Sequence, residues 1–142
     1  MASKEVLLIQ AEPDAPIACD MARAGDTVAE RFAEYGRLFA HALSDRQRTG
    51  DAVVLTFSAK PGVTEWVADL ARREAACCPF VTYEVTSDGS QVVWKTSGRA
   101  SPVIQALLDE LYALPEKIGD GPQAIFTRLA ERGLPITARG GG

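Results

Sequence analysis

Apolar residues recur along the chain with two different periods, and the switches between them mark out alternating strands and helices. Residues 5–10 hold the run Val6 to Ile9, which predicts a short first strand. Beyond Pro13 and Pro16, the segment Ile17-Ala18-Cys19-Asp20-Met21 reads as an edge strand carrying the first cysteine. Thr27-Val28-Ala29-Glu30 has the form of a capping box, and Val28, Phe32, Tyr35, Phe39, Ala42 and Leu43 then sustain a helix to about Arg46. Val53, Leu55 and Phe57 alternate as a strand after Thr49-Gly50. The turn Lys60-Pro61-Gly62 leads to a helix from Val63 to Cys78 with the stripe Val63, Trp66, Val67 and Leu70, stopped by Pro79.

The second half continues the alternation. Phe80–Thr86 and Gln91–Ser97 are rich in Val, Thr, Tyr and Trp, and Asp88-Gly89 between them signals a hairpin. Ser101 and Pro102 open a helix with the stripe Val103, Ile104, Leu107, Leu108, Leu111 and Leu114, halted by Pro115. Strand–helix–strand–strand–helix from Val53 to Leu114 predicts an α+β fold. It would be a two-layer sandwich, a small antiparallel or mixed sheet with helices packed on it, partly ferredoxin-like, its missing edge supplied by the N-terminal strand. The predicted division is one α+β domain over 1–115, a linker and short helix over 116–139, and a flexible tail over 140–142.

Composition narrows the functional classes. The chain has 142 residues, 46% of them apolar, enough for one self-sufficient core. Its net charge of -4 and scattered Lys and Arg residues predict no nucleic-acid partner. The run Val6–Ile9 is too brief for a membrane span or a signal-peptide core, so the expectation is a cytoplasmic protein without a membrane partner. Nucleotide-binding glycine motifs and the G-x-S-x-G elbow are missing from the sequence, so no nucleotide cofactor is expected. A lone His41 excludes the common His-based zinc sites.

The pointed chemistry lies in Arg73-Glu74-Ala75-Ala76-Cys77-Cys78-Pro79-Phe80. Glu74 falls on the apolar stripe, where a carboxylate must be paired, protonated or bound to a metal. Adjacent cysteines on a helix point about 100° apart, and both reach one ion only where the last turn opens, as Pro79 allows. Cys19 is the sole further thiol to complete a trigonal site with Cys77 and Cys78, and such thiolate sets select mercury, arsenic, copper or zinc. Buried cysteines acting as small apolar packing residues are the competing reading. The negative end of the helix dipole argues against a low-pKa thiol unless Arg72 or Arg73 compensates.

The segment E-x-x-C-C-P-F, here Glu74 to Phe80, resembles a motif of small bacterial proteins, many actinobacterial, and of C-terminal extensions on some heavy-metal-responsive MerR-type regulators. The likeness spans roughly 17–114, with Ile17-Ala18-Cys19 similar to a second cysteine segment of that group. It implies that Cys19, Glu74, Cys77 and Cys78 are the motif positions; no helix-turn-helix precedes them. The preferred expectation is a binding protein for a soft thiophilic metal or metalloid, with Cys19, Cys77 and Cys78 as ligands and Glu74 as ligand or acceptor. A thiol-dependent enzyme, either a vicinal-dithiol redox protein or a carbon–metal lyase, is the second reading. The third is an interaction module with core cysteines, forming a homodimer through a sheet edge or the C-terminal helix.

Overall fold

The structure, a computed structural model, describes residues 3–137. Its elements run β1 (Lys4–Ile9), β2 (Cys19–Asp20), α1 (Val28–Ala42), β3 (Leu43–Arg48), β4 (Ala52–Ser58), α2 (Val63–Cys77), β5 (Thr82–Ser87), β6 (Gln91–Ser97), α3 (Pro102–Lys117), α4 (Pro122–Glu131) and β7 (Ile136–Thr137). Five strands form an antiparallel sheet in the order β1-β5-β6-β4-β3, while β2 and β7 make a separate parallel pair. The fold is α+β, helices on a sheet, as the patterning indicates.

Alternation of side chains sets the two layers. Val53, Leu55 and Phe57 of β4, Tyr83 and Val85 of β5, and Val92 and Trp94 of β6 are buried, while intervening Val54, Thr56, Glu84, Thr86 and Val93 are partly exposed. One face therefore carries the helices and the other meets solvent, the usual arrangement for an antiparallel sheet. Burying each such Leu or Phe contributes about 1.5–3 kcal/mol. The hairpin forms as expected, with Asp88 Oδ1 accepting from the backbone of Ser90 and Gln91 and Gly89 in the left-handed region at φ 91°.

The β4-α2-β5-β6-α3 segment places β6 between β5 and β4, as in a ferredoxin-like unit. The N-terminal strand does not supply the missing edge: β1 extends the far side, beside β5, and β3 lies beside β4. That strand replaces the end of the predicted first helix, which stops at Ala42. Ser44 and Asp45 are weak helix formers, and pairing with β4 satisfies the backbone better there. Its inward side is built from arginines. Arg46 donates to the Tyr112 carbonyl and pairs with Glu116, while Arg48 reaches Gln105 and Asp109, so aliphatic stems rather than apolar residues cover α3.

Two other boundaries move. Only Cys19 and Asp20 of the predicted edge strand pair, followed by a 3₁₀ turn over Met21–Ala24. The third helix runs through Pro115 to Lys117, since a proline in the last turn forfeits little of the hydrogen-bond ladder. Beyond it α4 docks Ile125 and Leu129 into the core, and Phe32 meets Phe126 edge to face. The predicted tail at 140–142 lies outside the described residues.

One close approach is testable. A Cβ at Gly98 would lie 2.5 Å from Ile104 Cγ2 and 3.1 Å from Val81 Cγ1. Gly98→Ala is expected to destabilise the fold by about 1–3 kcal/mol in urea unfolding, as overpacking does. An unchanged midpoint would contradict the tight seating of α3 on the sheet.

Candidate functional site

The site grows from two helices whose apolar stripes each carry one charge. Arg31 follows Val28 by three residues and precedes Tyr35 by four, which turns it inward with them, and its side chain is 1% exposed. Glu74 occupies the equivalent place on α2. Arg31 Nη1 donates to Glu74 Oε1 at 2.6 Å, and Nε and Nη2 grip both Asp26 oxygens at 2.7 and 2.8 Å. Glu74 is thus an interior ion-pair partner, the paired option left open by its position on the stripe. Arg73 extends the network outward to Asp26, Glu34 and Asp69, and Trp66 Nε1 donates to Glu34 at 2.7 Å.

Electrostatics follow the pairing. Hydrogen bonding from Arg31 holds the Asp26 carboxyl below its ordinary value, and hydrogen bonding from Arg73 does the same for Glu34. Burial works against the Arg31 charge, but hydrogen bonding from Asp26 and the Glu74 charge outweigh it and fix the guanidinium as a cation. Cys77 is free and buried, with Arg31 Nη2 3.9 Å from its sulfur. Burial pushes its thiol up, the Glu74 charge adds to this, and Arg31 only partly offsets both. Neither Arg72 nor Arg73 activates the thiols: Arg73 is spent on carboxylates and Arg72 is exposed.

Cys19 and Cys78 are joined in a disulfide, Cα to Cα 4.6 Å, across a sequence separation of 59. Cys19 is seated by β2, its N–H donating to the Pro135 carbonyl at 3.1 Å. Cys78 caps α2, its N–H donating to Glu74 O at 2.8 Å, and Tyr83 Oη donates to its carbonyl at 3.2 Å. This overturns the expected metal site formed by Cys19, Cys77, Cys78 and Glu74. Two of the three sulfurs are consumed by a covalent bond and Glu74 is neutralised by Arg31. Among the described residues no group of three or more His, Cys, Asp or Glu side chains is placed to hold a metal ion. The expectation is three sulfurs converging on one ion; the structure instead bonds Cys19 to Cys78 and leaves Cys77 free beside Arg31.

The disulfide forms one wall of a cavity of about 60 Å³. Glu74, Arg31 and Tyr35 also line it, and α3 and α4 contribute Leu107, Leu111 and Phe126. The Tyr35 hydroxyl is buried facing the Glu74 carboxylate, with no hydrogen bond of ordinary geometry between them. Burial, and then the neighbouring Glu74 charge, keep that hydroxyl protonated well beyond its usual range. His41 stands apart, exposed beside Trp66, and Phe80, Tyr83 and Trp94 are core residues. No helix among the described residues is long and apolar enough to cross a membrane. Comparison with family models, curated proteins and solved structures finds no match to this chain.

Removing one partner of the buried network should be costly. Arg31→Met leaves Glu74 without its cation and Asp26 with Arg73 alone, and is expected to lose about 3–5 kcal/mol in chemical denaturation. Asp26 and Glu34 have folded pKa values below their ordinary 3.8 and 4.5. Their contribution is full above those values and is lost as pH falls through the depressed ones. The acid-side slope of stability should therefore be shallower in Arg31→Met than in the parent; equal slopes would remove Arg31 as its cause.

Proposed function

We propose that the chain is a thiol–disulfide redox protein in which Cys19 and Cys78 cycle between two thiols and the disulfide. The observation that carries this reading is the shared wall: Cys19 and Cys78 both line one cavity. Reduction by an external dithiol transfers two electrons and two protons, breaking one S–S bond here and forming one in the dithiol. A cytoplasmic location fits a disulfide of this type, since those that form in a reducing compartment are catalytic or sensing. The couple differs from the vicinal dithiol of the second reading, because Cys78 is bonded to Cys19 and Cys77 is free.

A structural reading is favoured by a separate observation, the burial of Cys19 and Cys78 to 2% and 4% exposure. A staple across this separation stabilises by about 4 kcal/mol through the unfolded chain.

Thiol counting in dithiothreitol redox buffers separates the two. The redox reading expects two thiols to appear and disappear reversibly in folded protein while Cys77 stays unreactive. Thiols that appear only together with global unfolding would leave the staple as the whole role of the bond.

A further inference from the structure

We infer that the free edge of β1 binds a second copy of this chain, strand to antiparallel strand, so that two five-stranded sheets become one. The sheet ends in two unlike edges. On β3 the exposed positions are Ser44, Asp45 and Gln47, the polar protection usual for an edge strand. On the other side β1 is paired with β5 alone, and the N–H and C=O groups of alternate residues point away from the sheet. Val6 and Leu8, at 36% and 42% exposure, are the exposed large apolar side chains among the described residues, and both lie on this strand. An open backbone ladder with apolar side chains beside it is a template for another strand.

The sequence of β1 selects its own copy as that strand. Two identical strands related by a twofold axis run antiparallel, and each residue faces the one equally far beyond the axis. With the axis at Leu8, Leu8 meets Leu8 of the second copy on the solvent face. Leu7, which pairs with buried Val85 on the helix side, meets Ile9 of the second copy. The irregular register at Val6 lies outside this central stretch. At each end exposed Lys4 comes opposite exposed Glu12 of the second copy. Apolar residues thus meet apolar residues on both faces and each Lys4 meets an anion. An axis at Leu7 would instead set Glu5 against Ile9 of the second copy and Lys4 against Gln10. Exposed ion pairs of this kind fix register more than they add affinity. A contact made by one six-residue strand and its continuation from each copy is small beside the standard interface of roughly 1,600 Å², so the pair dissociates on dilution.

Sedimentation equilibrium of the full chain between about 10 μM and about 1 mM tests the pairing, the apparent mass rising from one copy toward two. Leu8→Lys sets like charges face to face at the axis and should weaken association by about ten-fold or more, with the unfolding midpoint of the parent because the position is exposed. Lys4→Glu should weaken it by about five-fold, two exposed ion pairs being lost, and Lys4→Glu combined with Glu12→Lys should restore it. Leu8→Cys should cross-link two copies on mild oxidation far faster than Gln47→Cys on β3, since facing residues of antiparallel strands lie within disulfide reach. A single copy at every concentration would overturn the proposal, and so would a dimer that Leu8→Lys leaves intact.

Discussion

A buried guanidinium holds the site end of this molecule together. Arg31 has no aqueous alternative at 1% side-chain exposure, so its charge must be met by carboxylates at fixed positions. Asp26 comes from the loop before α1 and Glu74 from the last turns of α2, and satisfying one cation therefore sets the loop, the helix start and the helix end relative to one another. The capping box of Thr27 and Glu30 begins α1 one residue after Asp26, so the same few residues nucleate the helix and deliver the anion. The position of Cys78 follows from that of Glu74 through the last backbone bond of α2.

This dependence explains the unequal treatment of the three cysteines. Cys77 points toward Arg31, in surroundings whose net effect keeps it a neutral thiol. Cys78, one residue later and outside helical geometry, turns toward the arm that carries Cys19. Adjacent identical residues acquire different chemistry because the helix ends between them. The ion network contributes geometry here more than net stability, since desolvating such charges offsets much of what their attraction returns.

The sequence disclosed whatever obeys a period. The second and third long helices, the hairpin and the strand at Val53–Phe57 all follow from apolar spacing, and Glu74 stood out as a charge breaking a stripe. Arg31 breaks the stripe of α1 in the same way, between Val28 and Tyr35. Its length and charge suggest a surface residue until the complementary defect on α2 is set beside it; two opposite charges on two inward faces were the available signal. β3 was hidden for a related reason. Arg46 and Arg48 do with their stems what Val or Ile would do in an ordinary strand, so no alternation of apolar and polar letters is left to read. The partner of Cys78 was a matter of tertiary placement, fixed by a two-residue strand too short to carry a pattern.

That short strand also bears on biosynthesis. Cys19 is seated through Pro135 and Ile136, which are made after Cys78; Ile136 follows Cys78 by 58 residues. At a synthesis rate of about 5–20 residues per second, the gap lasts roughly 3–12 s. During that interval three thiols emerge from the ribosome without the segment that assigns their pairing. The backbone partner that seats Cys19 thus comes last among the parts that bring it to Cys78.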